Sequence, residues 1–448
     1  MKKLRPIIFW MHLVLGLGAG LVIALTAFTG ASMAFEKQLV AWAERDLRRV
    51  DVPATNTARI SLDEVLAEVR DEWPDFRPLA LTVSSDPAAA VIVNLGRNGN
   101  LYADPYTGKI REQGARRLRA FFQWMLRLHR WLGVAAPQGG PEGARPAGGE
   151  GKSQPITLRQ VTSTVVGVSA CVFLVLSISG LVLWWPRSWT WKNWRAVSVP
   201  ALRLSGKARD WNWHNALGFW FSPVIIIITS TGMLMSFHGL ADLLYKRPEG
   251  DGAVGTSVTV PTPAAGEKRL GPQALFAVAA REITQWEEIT VRLGNGRRTG
   301  GREGGPRRGG GEGNPTQVLG EGRRPGGQGA GNNPGPQAAV VSVRRKDGWS
   351  PLPTQLQMDP YNGAILRSES LADMGFRRGL RTLNKPLHTG EAGGWVGQGI
   401  VMLGAVGSLV LVYTGFALAL RRFTRRKSTG EVGEAVALSS KAVTSTTP

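Results

Sequence analysis

The sequence predicts an α-helical membrane protein: four transmembrane helices in two parallel repeats, plus an α+β domain on the outer side within each repeat. Three observations carry this reading. Four runs are long and apolar enough to cross a bilayer, because a helix rises about 1.5 Å per residue and roughly 20 residues span a hydrocarbon core of about 30 Å. One phrase occurs twice at one interval. It reads His12-Leu13-Val14-Leu15-Gly16 then Thr29-Gly30-Ala31-Ser32-Met33-Ala34-Phe35, and again His214-Asn215-Ala216-Leu217-Gly218 then Thr231-Gly232-Met233-Leu234-Met235-Ser236-Phe237. All five histidines of the 448-residue chain (His12, His129, His214, His238 and His388) lie inside or beside the apolar runs.

The first crossing is expected within 1–35. Lys2, Lys3 and Arg5 before an apolar core and the small residues Ala31-Ser32-Met33-Ala34 also describe a secretory leader. The run is longer than a leader's core, however, and its phrase recurs in mid-chain, where cleavage has no meaning, so a retained helix is expected. Residues 36–115 form the first outer domain. Ser61-Leu62-Asp63-Glu64 opens a helix as a capping box, with Leu62, Val65, Leu66 and Val69 at helical spacing. Alternating segments follow, and Asp104-Pro105-Tyr106-Thr107-Gly108 reads as a turn between short strands.

Residues 116–135 predict an interfacial helix with Leu118, Phe122, Met125, His129 and Leu132 on one side. A Gly/Pro-rich linker covers 136–155. The second crossing is 156–186. A cytoplasmic loop, 187–210, follows it, rich in tryptophan and in Lys192, Arg195, Arg203, Lys207 and Arg209. The third crossing, 211–238, contains Pro223, which is expected to kink it. The second outer domain, 239–385, repeats the helix-then-strand opening and the turn, now Asp359-Pro360-Tyr361-Asn362-Gly363, around a disordered Gly/Arg-rich insertion at 294–337. The fourth crossing is 386–420 and a polar cytoplasmic tail, 421–448, closes the chain.

The formal charge of +21 does not indicate nucleic acid, because the Arg and Lys cluster beside apolar runs and in the Gly-rich stretches. A single cysteine, Cys171, excludes an intrachain disulfide framework and a Cys-ligated metal centre. Basic short loops put both termini in the cytoplasm, and long outer loops cross regardless of charge. Two repeats of one orientation imply a pseudo-two-fold axis along the membrane normal.

That axis pairs His12 with His214 near the inner face and His129 with His388 near the outer face. Ionisable groups inside membranes are costly and mark function. Neutral imidazole is an axial haem ligand, and Gly16, Gly133 and Gly218 leave room for a flat macrocycle or a close helix. A proton relay competes, but acids are nearly absent from these helices. Zinc or copper competes too, without an accompanying carboxylate or thiol. Arg116, Arg117, Arg119, Arg377, Arg378 and Arg381 stand ahead of the outer histidines as contacts for propionates, an anionic substrate or lipid headgroups. His238 has no mate and is a spare ligand, a substrate-side residue or, as its place at a helix end favours, a helix cap.

The H-x-x-L-G at His12 and His214, Leu128-His129-Arg130, Leu387-His388-Thr389-Gly390 and the paired D-P-Y-x-G-x-I turns together resemble the bacterial PepSY-associated transmembrane-helix family. Those are iron-regulated membrane proteins that include siderophore reductases. The resemblance covers the chain except its two Gly-rich stretches. It implies PepSY-like periplasmic domains, two b-type haems held by His12, His214, His129 and His388, and outward electron transfer that reduces a ferric siderophore or other ferric chelate. It also implies a multi-pass protein of the bacterial inner membrane. The chain departs from the pattern in its 294–337 insertion and in lacking a fused flavin domain, so a separate cytoplasmic electron donor is expected. The alternative is a membrane-anchored PepSY module that binds or regulates a periplasmic partner without redox chemistry; a transporter is less suited to four helices with so few intramembrane acids.

Overall fold

The computed structural model describes residues 4–54, 57–135, 157–186, 188–245, 258, 260–263, 266–293, 337–346 and 350–444; for 97, 238 and 425–444 only the backbone is described. The expected linker at 136–155 and all but the last residue of the insertion at 294–337 lie outside these residues, as does the side chain of His238.

Four helices are long and apolar enough to cross a membrane. These are α1 (Leu4–Met33), continued by the short α2 (Glu36–Ala43) and α3 (Arg45–Arg48), then α6 (Leu158–Trp184), α8 (Gly206–Ser236) and α12 (Gly394–Thr444). They pack as a ring in which α1 touches α6, α6 touches α8, α8 touches α12 and α12 touches α1. Apolar side chains cover the outside, as a lipid solvent requires, while small and hydroxylated residues turn inward. The buried hydroxyls of Thr29, Thr229, Thr231, Ser408 and Thr414 each donate to the carbonyl four residues back, which satisfies them without water. α6 opens with a capping box, Thr157 with Gln160. Pro223 lies inside α8 without ending it.

Above one end of this ring sits the β-rich part. It contains α4 (Leu62–Glu72), β1 (Ala80–Ser84), β2 (Val91–Asn94), β3 (Asn100–Ala103) and β4 (Ile110–Glu112), then α5 (Arg116–Trp131). Beyond α6, α7 (Trp191–Ser198) lies at the opposite, terminal end. After α8 come α9 (His238–Tyr245), α10 (Pro272–Glu282), β5 (Trp286–Arg292), β6 (Ala339–Arg345), β7 (Thr354–Met358), β8 (Ile365–Glu369) and α11 (Phe376–Thr389).

Where two separate outer domains are expected from the sequence, the strands form one eight-stranded antiparallel sheet, β4-β3-β2-β1-β5-β6-β7-β8. The junction is β1 against β5, with Leu81 opposite Val291 and Val83 opposite Ile289. The reason is in the pattern of those strands. Both have buried apolar residues at alternate positions, and Thr82 and Thr290 hydrogen-bond across the seam at 2.8 Å. α4 and α10 cover the same face. Leu62, Val65 and Val69 pack on Leu81, Val91, Val93 and Leu101, and Leu275 and Ala279 pack on Ile289, Val341, Leu356 and Met358.

The two D-P-Y-x-G turns close alike. Asp104 Oδ1 accepts from the Tyr106 N–H and Asp359 Oδ1 from the Tyr361 N–H, both at 2.9 Å. Gly108 (φ +77°) and Gly363 (φ +75°) take the left-handed position that a side chain would strain.

Three expected boundaries move, the first at Gly206, where α8 opens inside the expected loop and ahead of the expected third crossing. The fourth crossing begins at Gly394 rather than at 386, because Gly390 (φ +78°) ends α11 and a short 3₁₀ turn intervenes. α12 also runs beyond 421 to Thr444, into the expected tail.

Candidate functional site

Each end of the ring holds two facing imidazoles. At the terminal end His12 of α1 and His214 of α8, on diagonally opposed helices, have ring centres 6.3 Å apart with planes at 87°. At the sheet end His129 and His388, on the last turns of α5 and α11, have ring centres 6.2 Å apart with planes at 62°. The seventeen residues from His12 to Thr29, which touches His129, put the pairs roughly 26 Å apart along α1.

Every ring is held by Nδ1. His12 Nδ1 lies 2.9 Å from Ser179 Oγ and His214 Nδ1 3.0 Å from Thr414 Oγ1. His129 Nδ1 lies 3.0 Å from both Thr29 Oγ1 and the Thr26 carbonyl. His388 Nδ1 lies 3.1 Å from Thr231 Oγ1 and 3.0 Å from the Ile228 carbonyl. Carbonyls only accept, so at the sheet end Nδ1 carries the proton and the neutral ring leaves the Nε2 lone pair free. The hydroxyls beside His12 and His214 already donate to helix carbonyls, which assigns those rings the same tautomer. An Nδ1–H anchored by an outer partner is how a metal-ligating histidine is oriented.

Each anchoring hydroxyl is followed by a glycine. Gly30 faces His129, Gly232 faces His388, Gly180 faces His12 and Gly415 faces His214; a Cβ at any of these would stand 3.1–3.5 Å from a ring atom. The four Ser/Thr–Gly dipeptides that contact the imidazoles were not singled out by sequence reasoning as part of the site. Half of the signal was visible in the repeated T-G at Thr29 and Thr231. The other half lies in Ser179-Gly180-Leu181-Val182-Leu183 and Thr414-Gly415-Phe416-Ala417-Leu418, a shorter and looser match.

The spacing tests what can sit between the rings. A metal–imidazole bond is about 2.0–2.1 Å and a ring centre lies about 1.1 Å from its nitrogen, so two rings on opposite sides of one ion stand about 6.3 Å apart. Among the described residues no cluster of three His, Cys, Asp or Glu side chains exists, so a four-coordinate protein-only site lacks ligands. Haem brings four equatorial nitrogens and needs only axial ones. The donor set therefore fits haem.

A cavity of about 1820 Å³ surrounds the terminal-end pair, lined by His12, His214, Gly16, Gly218, Phe9 and Trp184 among others. That volume exceeds what an ordinary small ligand needs, roughly 300–1,000 Å³. Arg5, Lys207, Arg421 and Arg422 stand at its rim. Arg421 also lies 3.0 Å from the buried carboxylate of Asp210, which Arg209 holds from the other side at 2.8 Å.

Some expected contributors lie elsewhere. Gly133 (φ +87°) terminates α5 together with left-handed Leu132, so its H-x-x-L-G is a helix end rather than a space for a macrocycle. Arg378 forms a two-pronged pair with Glu369, and Arg119 does so with Glu44. Arg116 pairs with Glu112 at 3.2 Å on the surface. Arg117, Arg377 and Arg381 are exposed. The two buried pairs commit Arg119 and Arg378 to carboxylates that would otherwise be left charged and unmatched, so neither is available to a propionate.

A search of curated proteins returns no match. A family model described as the PepSY-associated TM region matches residues 9–422, nearly the whole chain. This multi-pass membrane protein belongs to the PepSY-associated TM family.

Proposed function

We propose that the protein is a dihaem reductase of the bacterial inner membrane that passes electrons from the cytoplasm to a ferric siderophore or other ferric chelate in the periplasm. The observation that carries it is the doubled pair of imidazoles, one pair at each end, with ring centres 6.2–6.3 Å apart and every Nδ1 anchored. A bound haem supplies a one-electron iron couple at each end.

The chain's own residues do the rest. His12 with His214, and His129 with His388, would hold the group through their free Nε2 atoms. Ser179, Thr414, Thr29 and Thr231 fix the tautomer and the ring direction. Apolar lining such as Phe9, Leu176 and Phe416 excludes water from the inner pair. Arg5, Lys207 and Arg422 at the rim suit acidic groups there, either propionates or an acidic electron donor, while Arg421 is committed to Asp210. The same basic end supports placing both termini in the cytoplasm and the sheet in the periplasm.

The reading includes a two-repeat origin with PepSY-like sheet domains, which matching residues in the two halves support. The mates His12/His214, Thr29/Thr231 and Gly180/Gly415 occupy matching roles on α1/α8 and α6/α12.

The test is an optical spectrum of the purified protein. A Soret band that shifts on dithionite reduction is expected, with half its intensity lost in His12→Ala or in His129→Ala. A preparation that carries no haem after expression in haem-sufficient cells overturns the proposal.

A further inference from the structure

The two Arg–Glu pairs, each built on a buried carboxylate, are placed too regularly to be incidental packing. α5 carries Arg119 and, ten residues later, His129; α11 carries Arg378 and, ten residues later, His388. Arg119 donates through Nε and Nη2 to Glu44 at 2.8 and 2.6 Å, and the Glu44 side chain is fully buried. Arg378 donates through both terminal nitrogens to Glu369, whose side chain is 4% exposed.

Both carboxylates are tied to the sheet. The fully buried Tyr102 of β3 donates its hydroxyl to Glu44 at 2.7 Å, and Arg48 stands 3.6 Å away. Glu369 is itself the last residue of β8, and Arg367 of the same strand reaches it at 2.9 Å. β3 and β8 lie toward opposite edges of the sheet. The line from His129 to His388 therefore runs through α5, Arg119, Glu44 and β3, across the β1–β5 seam, to β8, Glu369, Arg378 and α11. The terminal-end pair has no link to the sheet; the buried carboxylate nearest it, Asp210 of α8, pairs with Arg209 and with Arg421 of α12. His12 and His214 ride on α1 and α8 inside the helix ring and are anchored by α6 and α12.

We propose that Glu44–Arg119 and Glu369–Arg378 are positioning clamps by which the eight-stranded sheet sets the separation and alignment of His129 and His388, and of that pair alone. This rests on the dihaem reading only for its spectroscopic arm. The clamps act through the histidine helices and touch no reacting group. A two-pronged guanidinium–carboxylate pair fixes direction as well as distance, which a lysine cannot do. Arg119→Lys and Arg378→Lys therefore keep the charge balance of each buried pair and remove its orientation.

Two measurements on the full chain decide it. In the first, nitroxide labels at Gln123→Cys on α5 and Arg381→Cys on α11, in a Cys171→Ala background, report the helix separation by pulsed dipolar spectroscopy, whether or not haem is bound. Arg119→Lys or Arg378→Lys is expected to broaden or shift that distance by several ångströms, while Glu112→Gln, which breaks the exposed Arg116 pair, leaves it unchanged. In the second, the spectrum of each site is assigned from His12→Ala and His129→Ala, and the two lysine variants are expected to lose several-fold occupancy at the sheet-end site with the terminal-end site intact. An unchanged distance overturns the clamp, whatever the haem content, and so does equal loss at both sites. A protein without haem but with the shifted distance keeps the clamp and refutes the dihaem reading.

Discussion

The terminal-end pair and the sheet-end pair share ring spacing and Nδ1 anchoring, yet they are built from different materials. His12 and His214 belong to crossing helices, and what aligns them is helix packing. Gly20, against Phe416, and Gly407, against Phe221, leave no room for a Cβ, because a ring from the neighbouring helix packs onto each glycine. His129 and His388 sit on short helices outside the ring, at left-handed C-termini (Leu132, Gly390). Their last turns are pinned to the ring through Nδ1, His129 to α1 and His388 to α8, and the sheet adds a second hold on each helix at its first turn. The comparison teaches that one geometry can be set from the membrane core or from a water-exposed sheet. Perturbations of the sheet are therefore expected to reach only one of the two sites.

The largest expected effect breaks the symmetry outright. His214→Ala is expected to abolish the terminal-end site and transfer across the membrane while leaving the sheet-end spectrum; His388→Ala is expected to do the reverse. Spectral titration of the two variants checks this, and loss of both sites from either one contradicts the independence of the pairs.

A smaller effect is expected at the seam. Leu81 and Val291 face each other across β1 and β5 and are fully or almost fully buried. Leu81→Ala removes buried methyl groups and leaves a cavity, at a cost of about 2–5 kcal/mol to the sheet. Thermal denaturation followed by the sheet's circular dichroism is expected to shift down, and the sheet-end spectrum to fail before the terminal-end one. Coincident failure of the two sites contradicts the comparison.

A third prediction concerns the hydroxyl anchors. His12 has Ser179 as its Nδ1 partner, whereas His129 and His388 have a carbonyl as well as a threonine, and His214 has the Leu411 carbonyl nearby. Ser179→Ala is therefore expected to weaken its site about 10-fold, within the range for outer partners of a ligating histidine. Thr29→Ala is expected to do less, because the Thr26 carbonyl remains. Haem retention under competition with apomyoglobin measures both.

Much of this was legible in the residues. The four crossings follow from length and apolarity, and the histidine pairing from a phrase that occurs twice. Ser61, Leu62, Val65 and Val69 announced α4 by cap and period, and the D-P-Y-x-G turns announced themselves by Gly108 and Gly363. The β1–β5 junction was not legible, because strand alternation tells which face is buried and not which edge finds a partner. The roles of Arg119 and Arg378 were hidden as well. A basic residue ahead of a membrane reads as surface charge until its carboxylate is located, and Glu44 is seventy-five residues away from Arg119. Ser179 and Thr414 read as ordinary small helix residues, since only a third dimension brings an imidazole to them.

The smallest effect is one of pH, and it separates the two ends again. Burial pushes the Glu44 carboxyl up, but hydrogen bonds from Arg119 and Tyr102, with the charges of Arg119 and Arg48, outweigh it and hold the group below its ordinary 4.5. A group whose folded pKa is depressed contributes stability above the ordinary value and loses it as pH falls through the folded one. The sheet-end clamp is thus complete at neutral pH and through mild acid, and opens only below the usual carboxylate range. Tyr102, raised by burial and by the Glu44 hydrogen bond, stays protonated throughout and keeps donating. Lowering the pH from 7 to 5 is expected to leave the label distance between α5 and α11 unchanged, and further acidification to broaden it, whereas Glu44→Gln is expected to show the broadened distance already at pH 7. A distance that changes between pH 7 and 5 in the unaltered clamp would mean that some group other than Glu44 holds α5 to the sheet.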